Sequence, residues 1–312
     1  MLRGHSFGIK TAIFSPRMRE IIVVGDAQDM MISVWTWPGK VMESLNKFSD
    51  EIFAMDVSSD SQYFVTVGNK HVKFYYLETK RWQGNVDHTC PIPLNCRYGM
   101  LDNLKENCFC DVACGRGHNQ YVFVISTSGI LCQINSNRFL ERWVNVNMAR
   151  AFCLSTDGDH VFVGGCQGVI RMFNAFNLKI VLTLPRPHCL GLDISQVTRS
   201  CEEAIQPSRG TRVNRQRQAN LSPSVESAAA AATVTTEGTS RHSNSNIGSS
   251  SDEDEADQRR PGAKALTFDR CHQNLTVVYE DHSLYIWGRL PSRRDGQVFD
   301  FHKRLETSSS LS

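Results

Sequence analysis

No stretch of about 18 or more apolar residues runs through this chain, so no transmembrane helix is expected. Its start, Met1-Leu2-Arg3-Gly4-His5, lacks the apolar core of a secretory signal. An excess of one charge is also missing. The 34 Lys and Arg stand against 32 Asp and Glu, a net of +2, which argues against a nucleic-acid or membrane-surface binder driven by bulk charge. Aromatic residues are absent over one long interval, from Asn177 to Thr267. The 11 cysteines are odd in number and spread from Cys90 to Cys271, too sparse for a secreted disulfide framework. They read as reduced thiols of a cytosolic or nuclear protein, several of them small hydrophobes within apolar runs. What remains is ordinary globular composition, 41% hydrophobic and 21% charged over 312 residues, with ample chain for a core.

One pattern recurs five times: an apolar run, a polar turn, a second apolar run, a tight turn, and a third run ending in a large hydrophobic residue. The first copy holds Ala12-Ile13-Phe14, Ile21 to Val24 and Ile32 to Trp35. The last holds Ala265 to Phe268, Leu275 to Tyr279 and Ser283 to Trp287. The runs are too short for helices, rich in Val, Ile and Phe, and separated by Asp, Gly, Ser and Asn. Trp35 and Phe74 are 39 residues apart, as are Ile134 and Phe173. A three-strand unit repeating near 40 residues predicts an all-β fold, a β-propeller of the WD type. Gly4-His5 lies 30 residues before Trp35, within the span of the glycine–histidine to tryptophan–aspartate signature. Thr36, Tyr75, Asn135, Asn174 and Gly288 stand where the aspartate belongs, so all five copies are degenerate. Trp35, Phe74, Ile134, Phe173 and Trp287 are expected to be structural anchors wedged between neighbouring blades.

Two intervals break the rhythm. Asp87 to Asn107 reads as an extended loop bearing an outer strand. Glu203 to Gly262 is rich in Ser, Ala, Arg and Gln, with five alanines from Ala228 to Ala232, and reads as a disordered insertion between blades. The expected domains are therefore blades one to four over 1–202, the insertion over 203–262, blade five over 263–300 and a disordered tail over 301–312. Five units fall short of a closed ring, and unpaired edges on the first and last sheets invite self-association.

Several strings lie outside the generic repeat. They include Gly4-His5-Ser6-Phe7-Gly8-Ile9-Lys10, Asp111-Val112-Ala113-Cys114-Gly115-Arg116-Gly117 and Leu184-Pro185-Arg186-Pro187-His188, then Ala265-Leu266-Thr267-Phe268-Asp269 and Tyr279-Glu280-Asp281-His282-Ser283-Leu284-Tyr285-Ile286-Trp287. Together they resemble the family of mitogen-activated protein kinase-binding protein 1 and WD repeat-containing protein 62, over residues 2 to about 200 and 263 to about 300. The resemblance implies a non-enzymatic scaffold of c-Jun N-terminal kinase signalling, with a spindle-pole or centrosomal role in one branch. It implies protein partners from the kinase pathway or spindle pole, a cytoplasmic location extending to centrosome or nucleus, and no cofactor. Family members carry further WD repeats, and their kinase-docking and self-association segments follow the propellers.

Other chemical readings are weaker. Cys108, Cys110 and Cys114 with His118 hint at zinc, but no second paired-ligand motif completes a tetrahedral site, and buried thiols are expected. Gly115-Arg116-Gly117 lacks the spacing of a phosphate-binding loop and reads as a tight interblade loop. His88 near Cys90, and His188 beside Cys189, carry no signature of a cysteine hydrolase. No catalytic or metal-binding residues are assigned. The Arg209, Arg212, Arg215 and Arg217 cluster reads as a solvated linker, with an RNA-binding propeller as the alternative function. Ser222 before Pro223, and Ser249, Ser250 and Ser251 before Asp252-Glu253-Asp254-Glu255, are candidate phosphosites.

Overall fold

The computed structural model describes residues 4–77, 91–190, 260–289 and 301–306. They form five four-stranded antiparallel sheets, each a meander of consecutive strands. The first contains β1 (Ile9–Phe14), β2 (Glu20–Gly25), β3 (Met31–Thr36) and β4 (Met42–Lys47). The second contains β5 (Ile52–Val57), β6 (Tyr63–Gly68), β7 (His71–Tyr76) and β8 (Cys96–Tyr98). The third contains β9 (Phe109–Cys114), β10 (Val122–Ser126), β11 (Ile130–Ile134) and β12 (Leu140–Asn145). The fourth contains β13 (Ala151–Thr156), β14 (His160–Gly165), β15 (Ile170–Asn174) and β16 (Ile180–Thr183). The fifth contains β17 (Ala263–Asp269), β18 (Asn274–Tyr279), β19 (Leu284–Arg289) and β20 (Phe301–Glu306). Each sheet is one blade of the expected WD-type propeller.

Local chemistry sets the turns. Ser15 Oγ accepts from the Arg19 and Glu20 amides, and Ser58 Oγ from Gln62 and Tyr63, closing the first turns of two blades in the same way. In the fourth, Asp157 Oδ1 accepts from Asp159 and His160. Such side-chain acceptors replace ladder partners where the chain reverses.

The sheets pack face to face in chain order. One apolar layer joins the first two, through Ile22, Val34, Phe64 and Tyr75. A second joins the next pair, through Val67, Phe74, Val112 and Ile134. Phe123, Leu131, Val163 and Phe173 join the third to the fourth, and Phe162, Met172, Tyr279 and Trp287 join the fourth to the fifth. The innermost strands β5, β9, β13 and β17 pack successively on one another. Because consecutive strands run antiparallel, the turns between second and third strands and the connections between blades gather at one end. The opposite end carries the other two turns of each blade.

The strand inventory departs from the sequence expectation in its outer strands and at the end of the chain. Every blade has a fourth, outer strand; that of blade two, Cys96–Tyr98, lies in the loop expected to bear one, whereas outer strands such as Leu140–Asn145 are largely exposed and lack the apolar run that marked the other three. Residues 301–312 were expected to form a tail, yet Phe301–Glu306 pairs with β19 as the fifth blade's outer strand. Its sequence, Phe-His-Lys-Arg-Leu-Glu, is polar enough to read as linker.

Candidate protein-interaction surface

Each inner strand carries one extra residue at its second position. The pairing slips between Ile9 and Thr11, Ile52 and Ala54, Ala151 and Cys153, and Ala263 and Ala265. In β9 the same slip isolates Cys110. The bulged residues Lys10, Phe53, Cys110, Phe152 and Lys264 therefore recur at one level, at the end where blades connect; a bulge re-aims its side chain out of the pleat. Lys10 Nζ lies 5.5 Å from the Phe53 ring centre and Lys264 Nζ 5.4 Å from that of Phe152, where the Arg150 guanidinium also lies 5.8 Å away. Glu51 pairs with Lys10 at 2.7 Å, and Glu280 with Lys264 at 3.2 Å. This rim of cations, phenyl faces and carboxylates is suited to polypeptide ligands with mixed polar and apolar side chains.

The inner strands also hold two carboxylates that bridge blades. Asp56 of β5 accepts from the Cys114 amide of β9 at 2.7 Å and from Arg116 Nη2 at 3.0 and 3.1 Å; Arg116 Nη1 adds a bond to the Val57 carbonyl. Asp111 of β9 accepts from the Leu154 amide of β13 at 2.7 Å. Burial pushes the Asp111 carboxyl up to about 7, against its bonds from the Leu154 and Val112 amides. These contacts fix the blades relative to one another, so the loops they carry sit on a stiff frame.

Two blades share a polar device. In the first, Trp35 Nε1 donates to Ser33 Oγ at 2.9 Å, His5 Nε2 is 2.8 Å from the same oxygen, and His5 Nδ1 is 3.5 Å from Asp29. In the fifth, His188 Nδ1 is 2.7 Å from Tyr285 Oη and Nε2 is 2.7 Å from Asp281. Burial opposes ionisation of Asp281, but hydrogen bonds from Ser283 and His188 hold its carboxyl below the usual range. The spacing matches: Asp29, Ser33 and Trp35 correspond to Asp281, Tyr285 and Trp287. Only the histidine-to-tryptophan interval differs, 30 residues in the first blade and 99 in the fifth. The excess, 69 residues, equals the length of 191–259.

The ends of that excursion meet. Arg260 Nη1 donates to the Pro187 carbonyl at 2.6 Å, and the Gly262 amide donates to Glu280 at 3.1 Å. Gly168, at φ +65°, lies beneath both ends: a Cβ there would stand 2.3 Å from the Pro187 ring and 3.0 Å from the Pro261 carbonyl. Glycine is thus required both by backbone conformation and by close approach. Arg260–Gly262, expected as the last residues of the insertion, are held in place in this neck.

The anchors divide by position. Phe74 and Ile134 are buried in the layer between blades two and three, Phe173 between three and four, and Trp287 between four and five. Trp35, also expected to be wedged between blades, has only its own sheet against it among the described residues. It is 6% exposed and packs on Ile21, Val23 and Met42 of its own sheet, on the face turned away from the second blade. Strand alternation decides this, since Trp35 pairs with Ile21 whereas Val34 and Ile22 face blade two.

The zinc hint also resolves. The bulge at Cys110 puts that thiol in the layer toward blade four, whereas Val112 and Cys114 face blade two. Even strand alternation would instead place positions 108, 110, 112 and 114 on one face. Cys110 Sγ lies 3.4 Å from the Ala151 carbonyl, and burial pushes its thiol up to about 12. Among the described residues no group of three or more His, Cys, Asp or Glu is placed to hold a metal. Gly115-Arg116-Gly117 is a turn within blade three, joining β9 to β10, rather than an interblade loop; its Arg116 side chain makes the interblade contact. His188 is engaged by Tyr285 and Asp281 rather than by Cys189. His88, Cys90, Arg209, Arg212, Arg215, Arg217, Ser222, Ser249, Ser250 and Ser251 lie outside the described residues.

No protein-family model matches the chain. It is 33% identical over 264 residues to mitogen-activated protein kinase-binding protein 1 of Mus musculus, covering 84% of this chain and 14% of that protein. It is 34% identical over 270 residues to the protein of that name from Homo sapiens. To WD repeat-containing protein 62 of Sus scrofa it is 36% identical over 302 residues, 96% of this chain and 16% of that protein. The chain thus spans only 14–16% of the length of these relatives. With such identity along nearly all of its length, and with the blades in place, the chain belongs, over the stretch it shares with them, to the WD-repeat family of mitogen-activated protein kinase-binding protein 1 and WD repeat-containing protein 62.

Proposed function

We propose that this chain is a non-enzymatic protein-interaction scaffold that brings mitogen-activated protein kinases, c-Jun N-terminal kinase among them, together with their partners. The observation that carries the reading is the kinship with relatives named as kinase-binding and WD-repeat proteins, at 33–36% identity over 84–96% of this chain. The frame supports it: bonded blades hold their connecting loops at one end, where charged and aromatic side chains face outward. A cytoplasmic location reaching the spindle pole is proposed on the same kinship.

Purified chain on a biosensor surface, exposed to purified c-Jun N-terminal kinase and related kinases, tests the reading. Saturable binding at micromolar concentration or tighter is expected. Absence of binding to every kinase, by a chain whose melting transition is intact, rejects kinase scaffolding. Fluorescent tagging in dividing cells reads the location, and signal excluded from spindle poles rejects that part.

A further inference from the structure

The outer strands of the third and fourth blades enclose a groove of about 740 Å3. One wall is β12. Its Arg142 and Val144 pair with Gln133 and Leu131, which face the fourth blade, so both look into the groove. The other wall is formed by β15 and the turn into β16. There Arg171 lies between Ile170 and Met172, which face blade five, and therefore points back toward blade three.

The two arginines cross the groove in opposite directions. Arg142 Nη1 donates to the Phe176 carbonyl, and Arg171 Nη1 to the Val146 carbonyl. Among the described residues, neither is paired with a carboxylate. Arg171 Nε is buried with no acceptor at all. With no carboxylate beside them, the exposed Arg142 and the part-exposed Arg171 leave the groove cationic and favour an incoming oxyanion on their accessible guanidinium edges. Lys179 adds a third, exposed cation at the rim. Glu141 also lines the groove, where its carboxylate accepts from Asn135 Nδ2 at 3.0 Å rather than pairing with either arginine.

Two further features select a polypeptide over a small anion. Past the bridge between Met100 and Phe139, β12 has a strand on one side only among the described residues, so backbone groups remain for an added strand. Ile180, 54% exposed, lines the groove with Val144 and offers contact to an apolar side chain between charges.

We propose that this groove docks an extended acidic segment of a partner protein, its backbone along β12 and its carboxylates on Arg142, Arg171 and Lys179. The inference rests on the scaffold reading and gives it a place and a ligand chemistry. The test is fluorescence anisotropy of the full chain with a labelled peptide of alternating glutamate and valine, and with its lysine–valine counterpart. Salt-sensitive binding of the glutamate peptide alone is expected, weakened at least about tenfold in Arg171→Gln and in the surface variant Lys179→Glu. No binding, or equal binding by wild type and by Lys179→Glu with an unchanged melt, overturns the proposal. So does binding seen only after removal of 205–260, which would make the chain's own acidic run the occupant. A dimer in light scattering that dissolves in Lys179→Glu would overturn it in favour of a second copy. Kinase binding is scored separately. A chain that binds kinase but not the glutamate peptide sinks the groove alone; one that binds the peptide through these cations but no kinase sinks the scaffold reading alone.

Discussion

His188 Nδ1 lies 2.7 Å from Tyr285 Oη, a bond between residues 97 positions apart. With Asp281 on its other nitrogen, one imidazole fastens the connection leaving blade four to the third strand of blade five. Tyr285→Phe removes the hydroxyl alone and is expected to lower stability by about 1–2 kcal/mol. His188→Ala removes both bonds and a buried ring, at about 2–4 kcal/mol. Denaturant unfolding followed by tryptophan fluorescence measures both, and wild-type stability in His188→Ala would reject the role.

Removing 191–259 and joining Leu190 directly to Arg260 restores the 30-residue interval found in the first blade. Because the neck closes on itself, the shortened chain is expected to keep its fold, with stability equal or higher by about 1 kcal/mol from the smaller loop. Circular dichroism melts decide this; loss of the cooperative transition would show that the excursion supports the blades.

Trp287, 2% exposed between two sheets, is expected to cost about 3–5 kcal/mol on replacement by Ala. Trp35 packs on one described sheet only, so Trp35→Ala should cost less, about 2–3 kcal/mol, part of it from the lost bond to Ser33. Thermal melts that rank them in the opposite order would contradict the placement of the two anchors.

Arg116→Ala leaves the Asp56 carboxylate buried without its cation and is expected to cost about 3 kcal/mol. Asp56→Asn combined with Arg116→Gln should recover part of that loss. A double-mutant cycle reads the coupling, and additive effects would show that the pair does not join the blades.

Asp111 titrates near 7 in the fold and near 4 in the unfolded chain. Its folded value is raised, so the stability it contributes is complete below about 4 and is lost as pH rises through 7. Relative to Asp111→Asn, the wild type should weaken by about 3–4 kcal/mol between those limits. Parallel unfolding curves for the two proteins over pH 4–8 would reject burial as the cause.

The blades were legible because three strands of each unit carry apolar runs closed by Trp35, Phe74, Ile134, Phe173 or Trp287 at a regular interval. Outer strands outside the 87–107 loop were not, since Glu141 and Arg142 in the exposed β12, or the charged sequence Lys303-Arg304 in β20, look like linker. The face of Trp35 follows from its pairing with Ile21, which a repeat length does not specify. Nor does spacing reveal the bulges: one added residue at Cys110 exchanges the faces that simple alternation assigns. Arg116 and Asp56 meet across 60 residues, and nothing local to either announces the other. The histidine device of blade five was hidden for a related reason, because Pro187-His188 and Trp287 are separated by the excursion that the neck closes.

That excursion has a consequence during synthesis. Each blade is a local meander that packs on the one before it, so the protein can assemble blade by blade as it leaves the ribosome. Between Leu190 and Arg260 the ribosome adds 69 residues that contribute no strand described here, a delay on the order of several seconds. Throughout it, the face of blade four bearing Ile170, Met172 and Leu184 waits for Leu275, Tyr285 and Trp287. Among the interblade layers of the described residues this one stays bare longest in the nascent chain, which leaves its apolar side chains exposed to wrong contacts for that interval.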